Sequence, residues 1–173
     1  MTKIQTKNGW SCLPCAFAAA IGIPVEEFIE DIGHDGGAEP YPGYPTVKAG
    51  FHEQECIDVV QRRGFAATLI EIVPQITPFP TGPVRQIWFS ERPGLSDEDC
   101  NWERFTTHLH GTRGVLTGAK RLGSQTSIGH AVAWVDGQVI DSKGNGYVYN
   151  LEDADDFGFK PRSYWKIQEV NNG

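Results

Sequence analysis

The chain has 173 residues, a formal net charge of −7, 39% apolar and 21% charged residues. This is the size and composition of one domain, spanning 1–173, with its own core, and the acidic balance argues against a nucleic-acid or anionic-membrane surface as partner. No charged-then-apolar leader and no apolar run near the ~20 residues of a bilayer span stands out, and four cysteines without a signal peptide suggest reduced thiols in the cytoplasm.

In chain order, the first element is a buried helix within Asn8–Gly22. Pro14 suits its first position and Gly22 the residue past its end. Leu13, Phe17 and Ile21 recur at i, i+4 and i+8 among alanines, a pattern apolar all round and therefore central. Cys12 falls at the mouth of this helix, where free N–H groups and the macrodipole favour a thiolate. A second helix runs over Pro24–Ile32, with Val25, Phe28, Ile29 and Ile32 on one face. Residues 33–50 then turn Gly-, Pro- and Tyr-rich and read as a long loop, in which His34 and Asp35 either close the helix end or border a cleft.

A third helix is expected over Phe51–Arg63, with Cys56, Val59, Val60 and Arg63 on one side and Gly64 as its stop. A strand over Phe65–Val73, a proline-rich connection at 74–83 and a short strand over Arg85–Phe89 follow. Ser96 opens a helix with an acidic first turn and an apolar stripe of Trp102, Phe105 and Leu109. Beyond Gly111 the chain becomes β-rich, with strands expected over Gly114–Ala119, His130–Val135, Gln138–Asp141, Tyr147–Asn150 and Tyr164–Val170. Helices early and antiparallel strands late define an α+β domain.

Asp136-Gly137 between two β-rich runs is a strong hairpin signal. With these two as the turn, Val135 pairs with Gln138 and Val132 with Asp141. The period of two then puts His130 and Asp141 on one face as diagonal neighbours. A carboxylate that orients an imidazole, which in turn deprotonates a thiol, is the general logic of nucleophile, base and orienter.

Cys12-x-x-Cys15-Ala16-Phe17-Ala18, with Gly129-His130-Ala131-Val132 and an aspartate on the next strand, resembles the papain-like cysteine peptidase superfamily. Gln5 followed by Ser11-Cys12-Leu13-Pro14-Cys15 is similar to the motif of bacteriocin-leader-processing peptidases, with Leu13 in place of the usual glycine. Asn8 to Leu13 resembles the motif of ovarian-tumour-type deubiquitinases with one extra residue, and the arrangement also looks like small phage-encoded papain-like proteins. The resemblance implies N-terminal helices with the cysteine at the start of the first, packed on a C-terminal antiparallel sheet that carries the histidine and aspartate. It implies Cys12 as nucleophile, His130 as general base, Asp141 as the orienting acid, and Gln5 or Asn8 as side-chain donor to the oxyanion. Cys15 becomes the nucleophile in papain's own register, but it falls on the helix body, where packing asks for small residues. Trp10, Cys15, His34 and Trp134 complete the expected cleft. The implied activity is hydrolysis of an amide or isopeptide bond in a peptide or protein through a thioester, without cofactor or metal, in a cytoplasm (the host's, for a phage protein).

Two other classes draw on the same residues. One is a catalytically inactive papain-like binding protein, such as a phage inhibitor of a host factor. The other is a thiol-disulfide oxidoreductase using Cys12 and Cys15, because Trp10-Ser11-Cys12-Leu13-Pro14-Cys15 resembles the thioredoxin motif. Zinc would lack a second ligand pair. His108-Leu109-His110 suits a helix end facing the dipole.

Overall fold

The computed structural model describes residues 9–37, 39–40, 47–71, 105–123, 127–142 and 146–170. Gln5 and Asn8, the connection at 74–83, the strand expected over Arg85–Phe89 and the start of the helix expected from Ser96 lie outside them.

Helix α1 spans Cys12–Ile21 and α2 spans Val25–Ile32. Helix α1 begins two residues before the expected Pro14, because a proline costs no hydrogen bond anywhere in the first turn. Its end is a Schellman cap: Gly22 takes φ +79°, its N–H donates to Ala19 (3.2 Å), and that of Ile23 donates to Ala18 (3.0 Å). The stretch expected as plain loop contains a short antiparallel pair, β1 (Glu39–Pro40) with β2 (Val47–Lys48). Helix α3 spans Glu53–Arg62. A capping box starts it, in which the His52 N–H donates to Glu55 Oε2 (2.7 Å) and His52 Nδ1 accepts from the Gln54 N–H (3.4 Å). Arg63, expected on the apolar side, instead ties the end of α3 to α2 through Glu27 (2.7 Å) and Asp31 (2.5 Å).

Six strands follow: β3 (Phe65–Glu71), β4 (Arg113–Arg121), β5 (Ser127–Val135), β6 (Gln138–Asp141), β7 (Tyr147–Tyr149) and β8 (Phe159–Glu169). They form one antiparallel sheet in the order β3-β8-β4-β5-β6-β7. Residues 105–109 are helical and lead into β4. The fold is therefore α+β, with the described helices α1 to α3 ahead of the sheet in the chain.

From His130 to Trp134, strand β5 is buried on both sides, which explains its unbroken apolar run Ala131 to Trp134. Ala131 and Ala133 belong to the core built with Phe17, Phe28, Cys56, Val59 and Val60 of the helices. Val132 and Trp134 belong to a second core with Phe105, Leu109, Leu116, Phe159 and Tyr164. The small residues matter. Ala16, Ala18 and Ala20 of α1 share a core with the alanines of β5, so the helix packs directly on the strand that carries His130.

Candidate active site

Three elements meet at the mouth of α1. Cys12 occupies the first position of that helix and is half-buried. His130 lies near the start of β5 and is buried, and Asp141 ends β6 with no exposure at all. The β5–β6 hairpin has the expected register, Val135 opposite Gln138. Asp136 (φ +52°) and Gly137 (φ +79°) both take the left-handed region, as a two-residue turn of the favoured hand requires.

The His130 Nε2 contacts Asp141 Oδ1 at 2.8 Å. A carboxylate can only accept, so Nε2 donates and Nδ1 is left for Cys12, whose side chain is hydrogen-bonded to the imidazole. Phe159 packs edge-on against the ring at 5.9 Å between centroids and helps hold its plane. Opposite His130 on β4 stands Gly118, at a bulge in the β4–β8 pairing. A side chain there is impossible without rearrangement, because a Cβ would come within 2.1 Å of the Lys160 carbonyl oxygen.

The electrostatics of the pair follow from these contacts. Burial opposes ionisation of Cys12, but the hydrogen bond and charge of His130, with the backbone N–H groups of Ala131 and Leu13, outweigh it and hold the thiol below its ordinary pKa. Burial likewise opposes the imidazolium, and the hydrogen bonds to Asp141 and Cys12 overcome it, so His130 is raised above its ordinary value. Opposite shifts in two touching groups favour a thiolate–imidazolium pair.

Asp141 has a second ionic partner. Its Oδ2 accepts from the ammonium of Lys120 on β4, a side chain only 12% exposed. Lys120 lies one residue past the strand end expected at Ala119, outside the residues expected at the site. The signal was the alternation Leu116, Gly118, Lys120, which puts the lysine on the face of His130. The Tyr149 phenol on β7 is pushed up by burial and by the charge of Asp141.

The other expected cleft residues are placed differently. Trp134 does not join the site: it is buried in the second core, its indole N–H donating to the Leu109 carbonyl at 3.1 Å. Four residues along β5 from His130, it stands about 13 Å up the strand. Cys15 is fully buried on the body of α1 and is not disulfide-bonded. His34 is held inside the α2–α3 region, with Nε2 on Glu55 at 3.1 Å, its ring stacked on Phe51 and Nδ1 accepting from Gly36. Trp10 is 40% exposed and its indole donates to the Asp35 carbonyl at 3.3 Å, which brings the loop after α2 beside the residues leading to Cys12.

Among the described residues, no group of His, Cys, Asp and Glu is arranged to hold a metal ion, and no single helix is long and apolar enough to cross a membrane. The chain matches no protein-family model, and its sequence matches no curated protein.

Proposed function

We propose that this protein is a thiol hydrolase of the papain-like kind, acting on an amide or isopeptide bond in a peptide or protein. The observation that carries the reading is the continuous hydrogen-bonded series from Cys12 through His130 to Asp141, begun at a helix N-terminus. The order of elements supports the same superfamily: the cysteine opens the first helix, and the histidine and aspartate lie on neighbouring late strands.

In the proposed reaction, the Cys12 thiolate attacks the carbonyl carbon. The oxyanion is met by N–H groups of the first turn of α1, with Gln5 or Asn8 as a side-chain donor. The His130 imidazolium protonates the departing amine as the tetrahedral intermediate collapses to a thioester. Water, deprotonated by the now neutral His130, attacks the thioester carbonyl and releases the acid and the thiolate. The setting that suits an unpaired, activated thiol is a reducing cytoplasm. Full burial of Cys15 disfavours the oxidoreductase reading, which needs a second sulfur within reach of an incoming disulfide.

The test is the pH dependence of alkylation by iodoacetamide, followed for each cysteine by peptide mass spectrometry in the wild type and His130→Ala. Selective reaction of Cys12 well below its ordinary pKa of 9.0, lost in His130→Ala, is the expected result. Uniform reactivity that ignores the substitution overturns the catalytic reading and leaves a protein that binds without cleaving.

A further inference from the structure

We infer that Lys120 is a positioning residue of this site, one that sets the proton affinity of His130 by way of Asp141. The inference deepens the hydrolase reading and rests on it for its functional meaning. Its physical content stands on the geometry alone.

Asp141 is completely buried, and a carboxylate stripped of water is kept ionised only by partners on its oxygens. The two oxygens are divided: Oδ1 serves His130 and Oδ2 serves Lys120. The lysine comes from β4 and the histidine from its neighbour β5, where Gly118 faces His130 and Lys120 faces Ile128. The Gly118 position, which cannot carry a side chain, lies between Lys120 and the residues further along the same face of β4.

This division has two consequences. Lys120 fixes the carboxylate plane, so that Oδ1 stays aimed at Nε2. It also places a positive charge on Oδ2, the oxygen the imidazole does not use, so His130 shares the carboxylate's charge with a second cation when it is protonated. The other titratable groups facing the pair among the described residues are Cys12 from α1 and Tyr149 from β7. An imidazolium beside an unshared carboxylate would hold its proton more tightly. Here the lysine tempers the imidazolium, easing delivery of the proton to the leaving amine, while keeping the anion that orients it.

The experiment is a titration of the His130 ring nitrogens by NMR in the folded full-length protein, comparing wild type, Lys120→Met and Lys120→Arg. Removing a positive charge two hydrogen bonds away should raise the His130 pKa by about one unit or more. Lys120→Arg, which keeps a positive charge able to donate to Oδ2, should stay near the wild type. An unchanged titration in Lys120→Met, or an equal shift in Lys120→Arg, overturns the inference. Should Lys120→Met fail to fold, acetylation of the wild type by an N-hydroxysuccinimide ester decides. Lys120 should react last among the lysines, and reaction at the rate of exposed lysines overturns the inference. Failure of the hydrolase reading looks different: Cys12 then shows no selective reactivity, while the His130 titration still responds to Lys120.

Discussion

Cys12 and Cys56 are the same chemical group in two settings of one protein, the mouth of α1 and the interior between the helices. Both are shielded from water, and burial pushes both thiols towards the neutral form. At Cys12 the push is overcome by an imidazole and two backbone N–H groups. At Cys56 nothing offsets it: burial, then the negative charges of Glu55 and Glu53, raise the thiol well above its ordinary value. Burial alone does not decide whether a cysteine is chemistry or packing. The groups that replace water around the sulfur decide it.

The most disruptive way to break the contrast is Asp141→Asn. It leaves His130 without its carboxylate and Lys120 with an unpaired charge in a mostly buried position. Cys12 alkylation near neutral pH should fall at least about tenfold as the pair loses its support, and urea unfolding should show a loss of roughly 3–5 kcal/mol from the broken buried ion pair. Cys56 should stay unreactive at that pH in the folded protein. Full retention of Cys12 reactivity would show that the helix mouth, not His130 and Asp141, lowers the thiol.

Parts of this contrast are legible in sequence, and parts are not. Local rules locate the hairpin register, because Asp136 and Gly137 leave the chain little choice at the turn, and they locate α1 through its alanines and Gly22. Period-two alternation puts His130 and Asp141 together. A shared face extends far beyond a shared site, and Trp134, on the face of His130, is buried in the second core. Cross-strand partners two strands apart are the harder part. Lys120 reaches Asp141 across β5, because β4 and β6 flank that strand in the sheet, and the alternation on β4 names the face but not the partner. The Ala131 N–H that faces Cys12 is likewise a product of how closely α1 packs on β5.

Cys56→Ala sharpens the contrast from the other side and should be milder. It removes a small fully buried group, so a cost of roughly 1–2 kcal/mol is expected with Cys12 reactivity unchanged. The pH dependence identifies the thiol. Its folded pKa is raised, so the stability it contributes is fully present below the unfolded value of 9.0 and is lost as pH rises from there towards the folded value. Urea unfolding as a function of pH should therefore decline less steeply above pH 9.0 in Cys56→Ala than in the wild type. Parallel curves would mean that Cys56 ionises as readily folded as unfolded, and that its neighbours do not act as described.

The smallest effect is expected from Glu55→Gln. Glu55 Oε2 accepts from the His52 N–H in the capping box, and Oε1 faces His34 Nε2. Because His34 Nδ1 accepts from the Gly36 N–H, Nε2 carries the ring proton and donates to Glu55. A glutamine has one acceptor oxygen, so it can keep the cap or the His34 contact but not both acceptors, at a cost of about 0.5–1.5 kcal/mol. The substitution also removes one of the charges that raise Cys56, so alkylation of Cys56 in the folded protein should begin at slightly lower pH. Cys12 should be unaffected, since its thiol answers to His130 and to the N–H groups of Leu13 and Ala131. If Cys12 reactivity moved together with that of Cys56, the two thiols would share one electrostatic environment, and the distinction between the mouth of α1 and the helix interior would fail.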